Sequence, residues 1–453
     1  MNYVGTARPI HDAKGKATGY TKYAGDLSLP NMAYLCMLHS KIPHGYVKAV
    51  HAEKALALPG VYGVYHCLNT SERKYNRYRS SFDQAYLANE ERAFNQYVRF
   101  VGDKIGAVAA CDQETAEKAA RLVEVEYEEL PFSIGFDDTF AGKNCLDGET
   151  PVRDEYTLEV GKKQESTEGL IEVCSTMELP RLHHATMETH ACIADYDPYI
   201  DMLTVYCPNQ AVHGIRTVLA DFLEMPESHV RVVKATMGGS FGAKQEWFLE
   251  PVTALVAKKL CRPVKLVYSR GEAMTDTIVR GAMRMSTRGY YTPDGEMKKI
   301  YCDVTLDAGA YIGNAGDYVR ALAGKPTRCY RIPYMHYHGQ VISSNSPVSG
   351  AFRSWSAAEE ALMMERQLDA AAEKLGMDRL AIRLKNVARS GEEDKKLHLS
   401  LEDIRIGDAI TLGSEKFGWD KLKAEDAAFN ASQQRYRRGV GIGIGGHGNT
   451  YFP

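Results

Sequence analysis

No two cysteines in this chain stand in a C-x-x-C pair. All ten are scattered singly, so the spacings of zinc ribbons and iron–sulfur sites are missing. Such usage suits a reduced, cytoplasmic protein whose cysteines are small buried apolar residues. A run of eighteen apolar residues is also lacking, and no transmembrane helix is expected. The opening Met1-Asn2-Tyr3-Val4-Gly5 has no charged stretch leading into an apolar core, so no secretory signal is expected. Neither sign of charge dominates: the net charge is −3 and the pI about 6.5. A nucleic-acid partner, which calls for a basic face, is not expected. Internal repeats are absent as well. What remains is a chain of 453 residues, long enough for two or more domains with substantial cores.

Against that background one stretch stands out: Met237-Gly238-Gly239-Ser240-Phe241-Gly242-Ala243-Lys244-Gln245. Three glycines around one phenylalanine let the backbone pass close to a ligand. Their amides can then donate to an anionic oxygen. Alone, this is ordinary turn chemistry. Upstream, the strand-like Leu203–Tyr206 leads to Pro208-Asn209-Gln210; far downstream lies Ser349-Gly350-Ala351-Phe352-Arg353-Ser354-Trp355. The N-terminal part adds Arg8-Pro9-Ile10-His11-Asp12, Tyr23-Ala24-Gly25-Asp26, Leu58-Pro59-Gly60-Val61 and Val101-Gly102-Asp103-Lys104. In this order these segments resemble the molybdopterin-binding subunit of the xanthine dehydrogenase/aldehyde oxidase family, over essentially the whole chain.

The resemblance implies an α+β fold. An N-terminal a/b hammerhead domain (1–135) would be followed by a linker (136–170), a first molybdopterin-binding domain (171–405) and the start of a second (406–453). Local patterning fills in elements. Met32–Leu38 and Lys104–Ala110 read as buried strands, Lys48–Leu58 and Gln113–Leu122 as helices, and Val61–Tyr65 and Val123–Tyr127 as strands. Residues 69–97, with Tyr75, Tyr78 and Tyr86, read as a long surface loop or partner contact. In the second part, Ile171–Met177, Ala191–Tyr196, His229–Val233, Pro263–Tyr268 and Lys299–Leu306 read as strands. Val212–Leu223, Pro251–Lys259, Ala357–Leu375 and Asp378–Asn386 read as helices. Gly441-Ile442-Gly443-Ile444-Gly445-Gly446 matches G-x-G-x-x-G in form only. No helix and acidic residue follow within this sequence, and a Gly-spaced strand is expected.

Site residues follow from the resemblance, each beside a plainer alternative. Gln210 would donate its amide to a ligand of the metal; otherwise it is an exposed strand-end amide. Gly239, Phe241 and Gly242 would close over the cofactor, and Arg353 would contact the metal centre; otherwise Phe241 is core and Arg353 a surface ion-pair partner. No side chain would ligate the molybdenum directly. Lys244 would fix the Gly loop by capping or pairing. Gln245 and Trp355 would face substrate. A neutral amide both donates and accepts toward a heterocycle's N–H and C=O edges, and an indole offers a stacking face. Solvation after a turn and core packing are the respective alternatives. Ser354 stands where the carbon monoxide dehydrogenase branch has cysteine, which disfavours that activity. His183, His184 and His190 surround Met187-Glu188-Thr189, but their spacing fits no zinc motif, and structural histidines are expected.

Two departures bear on function. Ser240 and Ala243 replace glycines usual in the family, which is tolerable only where positive φ is not required. The family's general base, a glutamate in a Gly-x-Gly-Glu segment, has no match in these residues. The expected activity is therefore that of an incomplete molybdenum hydroxylase. It would insert water-derived oxygen into a purine-like N-heterocycle and pass electrons to iron–sulfur and FAD subunits, the rest of the site lying on another chain or missing through truncation. Alternatives are a noncatalytic fragment or assembly subunit, or a nicotinate- or aldehyde-oxidising member. An unfinished second domain is expected to leave an apolar face exposed.

Overall fold

The computed structural model describes residues 4–78, 89–142, 146, 150–163, 166–432 and 435–446. Tyr86 and Cys145 lie outside the described residues. Two sheets organise the chain. The larger has seven strands, in the order Val230–Lys234, Met202–Cys207, Ala191–Asp197, Val264–Val267, Ala33–His39, Lys104–Ala110 and Val61–His66. Strands from the N-terminal part and from the cofactor-domain part thus share one sheet. Ala33–His39 runs parallel to Val264–Val267, with Ala33 opposite Val264, and antiparallel to Lys104–Ala110. Every residue of Lys104–Ala110 is buried, as a strand covered on both faces requires. Helices Gln113–Ala120, Val212–Phe222 and Glu250–Leu260 pack around this sheet. Asp112 caps the first, its side chain accepting from the Thr115 amide at 2.7 Å. Pro251 occupies the first turn of the third.

The second sheet has five strands, in the order Ile171–Leu179, Ala282–Tyr291, Met297–Gly309, Tyr334–Ser343 and Val152–Gly161. Helix Ala357–Leu375 lies across it, burying Met363, Met364, Leu368 and Ala371. A buried Gln367 on that helix accepts from Thr287 Oγ1 at 2.6 Å and donates to the Val173 carbonyl at 3.1 Å. This pins the helix to two strands. A three-stranded sheet of Tyr97–Val98, Gly45–His51 and Glu124–Glu129 completes the N-terminal part.

Four expectations change. Residues 48–51 belong to strand Gly45–His51, and only Glu53–Leu56 is helical; pairing with Glu124–Glu129 overrides the helical spacing of Ala and Val. The stretch expected as a linker contains helix Phe136–Phe140 and edge strand Val152–Gly161. Tyr75 and Tyr78 are buried rather than on a surface loop. Residues 441–446 form no strand. They lie extended beside helix Ile406–Phe417, lining with it an apolar groove of about 530 Å³, where Ile442 and Ile444 pack on the core of the five-stranded sheet. No helix among the described residues is long and apolar enough to cross a membrane.

Candidate active site

The strand Met202–Cys207 ends at Pro208, and Gln210 emerges exposed from its tip. The strand Val230–Lys234 delivers the Gly loop beside it. In that loop φ is positive at Gly239 (104°), Phe241 (56°) and Gly242 (103°), but not at Ser240 or Ala243. The replaced glycines were therefore not needed for their backbone freedom. Ser240 has gained a role: its hydroxyl donates to Gln210 Oε1 at 2.5 Å and accepts from the Lys244 amide at 3.1 Å. The amide of Gln210 in turn donates to the Lys244 carbonyl at 2.8 Å.

The loop and the 349–355 segment both rest on side chains from the segment 183–190. Glu188 accepts from the Gly238 amide at 2.7 Å and pairs with the buried Lys244 ammonium. His190 Nε2 lies 3.0 Å from the Ala243 carbonyl, and His184 Nε2 lies 2.8 Å from the Ala351 carbonyl. Burial lowers His190 to about 3 and His184 to about 4. Both rings are neutral at pH 7, and each donates from Nε2, since a carbonyl can only accept. Among the described residues no group of three or more His, Cys, Asp or Glu could hold a metal ion.

The 349–355 segment docks directly on the Gly loop. The Arg353 amide donates to the Phe241 carbonyl at 2.8 Å. A Cβ on Gly242 would stand 2.7 Å from the Ala351 carbonyl carbon and 3.0 Å from Phe352 Cα, so only glycine permits this approach. Phe352 is sandwiched, with the His184 ring stacked at 4.3 Å and the Arg280 guanidinium at 4.2 Å. Arg280 also donates to the Arg353 carbonyl at 3.2 Å.

The structure thus brings Gln210, Gly239, Phe241, Gly242 and Arg353 to one open rim. The side chains of Gln210, Phe241 and Arg353 are exposed. The amides of Gly239, Ser240, Phe241 and Gly242 donate to no group among the described residues. Consecutive free amides beside an arginine form a cradle for anionic oxygen, which fits the phosphate- and oxygen-rich pterin cofactor. Trp355 is half-buried, its ring 5.3 Å from Tyr318 and 6.4 Å from Tyr78. Gln245 is half-buried at the end of the Gly loop. Lys244 anchors the loop and is not exposed on the rim.

Family models match two parts of the chain. "Aldehyde oxidase and xanthine dehydrogenase, a/b hammerhead domain" covers residues 18–131, and "Molybdopterin cofactor-binding domain" covers 149–387. The chain belongs to the xanthine dehydrogenase/aldehyde oxidase family of molybdopterin-binding subunits. It is 29% identical to the xanthine dehydrogenase molybdenum-binding subunit of Escherichia coli O157:H7, over 98% of this chain and 59% of that one. It therefore spans about three-fifths of that relative's length. With the nicotinate dehydrogenase large molybdopterin subunit of Eubacterium barkeri it shares 30% identity, over 84% of this chain and 88% of the other. The fold is that of quinoline 2-oxidoreductase from Pseudomonas putida 86, with a TM-score of 0.87 at 23% identity, covering 94% of this chain and 56% of that one.

Sequence reasoning missed what lies beneath the rim of this family member. Glu246 is 1% exposed. Its Oε1 accepts from Asn314 Nδ2 at 2.8 Å and would stand 2.5 Å from a Cβ on Gly350. Burial pushes its carboxyl up to about 8, against the pull of Arg77. A charged residue after Gln245 reads as solvated, and no local signal marks it as core. Because the folded value lies above the ordinary 4.5, the unfolded chain releases this proton first. Stability is lost as pH rises from about 4.5 to about 8. Glu246→Gln removes that loss. Thermal melting should show wild type and variant alike near pH 5, with the variant ahead by on the order of several degrees at pH 8. Parallel curves across this range would refute a neutral Glu246.

Proposed function

We propose that this chain forms one half of the molybdenum site of a hydroxylase acting on a purine-like N-heterocycle, in the manner of xanthine dehydrogenase. The observation that carries this is the joining of three loop ends: Gln210 to Ser240, and Phe241 to Arg353, with four free amides between them. The overall change is RH + H2O → ROH + 2H⁺ + 2e⁻. The bound molybdenum cofactor supplies the redox centre for oxygen insertion. Gln210, with its Oε1 engaged by Ser240, is left to donate from its amide nitrogen. The amides of Gly239, Phe241 and Gly242 hold anionic oxygens, and Arg353 adds positive charge at the rim. Gln245 reads the N–H and C=O edges of the heterocycle, and Trp355 offers the stacking face. Electrons leave to iron–sulfur and FAD subunits.

No Gly-x-Gly-Glu base occurs in these 453 residues, so we place the general base outside them, on a second chain or on a continuation of this one. The resemblance to a nicotinate dehydrogenase large molybdopterin subunit keeps nicotinate oxidation open as a second reading, with aldehyde oxidation beside it. Ser354, where cysteine marks the carbon monoxide branch, argues against that reaction.

The test is elemental analysis of the protein purified from its native host, with co-purifying chains identified by mass. Near-stoichiometric molybdenum together with a chain carrying the missing glutamate is the expected result. Product analysis with purine, nicotinate and aldehyde substrates then separates the readings. Absence of both metal and partner would end the catalytic assignment and leave an assembly or scaffold role.

A further inference from the structure

Ser354, Trp355 and Ser356 are three successive non-glycine residues at positive φ, 86°, 39° and 63°. Each conformation disfavours a residue with a Cβ. A run of three persists only where the surroundings over-determine it. Ser356 is the residue before helix Ala357–Leu375, where a serine hydroxyl ordinarily caps the first turn. Here it makes no such cap. Its Oγ instead accepts from Lys325 Nζ at 2.7 Å, and the same ammonium donates to the Trp355 carbonyl. Lys325 follows helix Ala315–Ala323, the helix that carries Tyr318 against the Trp355 ring. The charges acting on the ammonium are those of Glu360 and Glu359, which favour it, and of Arg328 and Lys396, which oppose it.

We propose that Lys325 and Tyr318 are a two-point clamp, Lys325 on the backbone and Tyr318 on the ring, that fixes Trp355 as the specificity-determining wall of the heterocycle site. Lys325 is a positioning residue in this scheme. The wall's role rests on the proposed function; the clamp itself does not. Two donated hydrogen bonds at a turn of three left-handed residues hold the half-buried Trp355 indole in a single orientation. Serines at 354 and 356 make the turn stiff, and Lys325 makes it attainable.

A double-mutant cycle on the full chain tests this. K325M removes the donor. S354G/S356G removes most of the need for it, since glycine adopts positive φ without strain at two of the three positions. The expected result is strong coupling. K325M alone should lower Tm by on the order of several degrees and raise acrylamide quenching of Trp355 emission, isolated by subtracting a W355F control. In the glycine background the Tm loss should largely vanish, while quenching stays high because the ring is no longer held. Additive Tm losses with unchanged quenching would overturn the clamp. Should K325M alone not fold, the triple variant decides: a folded triple variant supports the proposal, and an unfolded one overturns it. No readout needs molybdenum or substrate, so failure of the heterocycle reading and failure of the clamp are separable.

Discussion

Gly242→Ala is expected to leave a folded protein with activity lowered about a hundredfold, the cost of misplacing reacting groups by about 1 Å. The new methyl would meet backbone on both sides, the Ala351 carbonyl and Phe352 Cα, and neither can swing aside as a side-chain tip would. The φ of 103° adds strain of about 1–3 kcal/mol for a residue with a Cβ. The Gly loop and the 349–355 segment must then part, stretching the bond between the Arg353 amide and the Phe241 carbonyl. Molybdenum content per chain should fall with activity, while thermal melting changes less, because the cores of both sheets are untouched. Retention of metal and activity within about twofold, where mutational effects merge with background, would show that the two loops need not touch. Ala243→Gly is the control, expected to be mild.

Glu91→Gln should produce the largest loss of stability. Glu91 is 1% exposed and lies between Arg77 and Lys104, with Tyr75 donating to it at 2.8 Å. Burial pushes its carboxyl up, but Arg77 and Lys104 together bring it below the ordinary carboxylate range. Removing its charge leaves two buried cations facing an amide. Breaking such a buried pair costs about 3–5 kcal/mol, measurable as a lower urea midpoint at unchanged m-value. Asp276, 3.7 Å from Lys104, is a remaining acid of the cluster and keeps the loss from being larger. The pH sign follows from the depressed folded value. The stabilisation is present above the unfolded value and is lost as pH falls through the folded one. A loss below about 1 kcal/mol, the range of an exposed pair, would mean that the cluster is hydrated.

The family, the order of the cofactor loops and the long helices were legible in the sequence. Ala357–Leu375 was read to the residue because its apolar stripe and following glycine are local signals. Val152–Gly161 was not, because an edge strand with one open face carries Arg, Asp and Glu and reads as a linker. The rim residues were named from motif order, and Lys244 was read as a loop anchor, yet nothing in that order revealed the other supports. His184 and His190 stood out as histidines, but only the fold shows that each holds a different loop by its carbonyl. Arg280, Glu246 and Lys325 went unnoticed for one physical reason: their partners lie tens or hundreds of residues away, and an isolated charge looks solvated until the chain closes around it. The Gly441–Gly446 segment was read by spacing alone, and spacing cannot supply the neighbouring strand that makes a strand.

The seven-stranded sheet has a consequence for biosynthesis. Ala33–His39 leaves the ribosome some 225 residues (264 minus 39) before its parallel neighbour Val264–Val267. At about 5–20 residues per second that is a delay of roughly 10–45 s. During it, this interior strand of the future sheet keeps one open hydrogen-bonding edge, able to pair with any other nascent chain. The N-terminal 135 residues are thus expected to behave as a chaperone client when expressed alone, and yield in a heterologous host should respond to slower translation or lower temperature more than to codon choice within the cofactor loops.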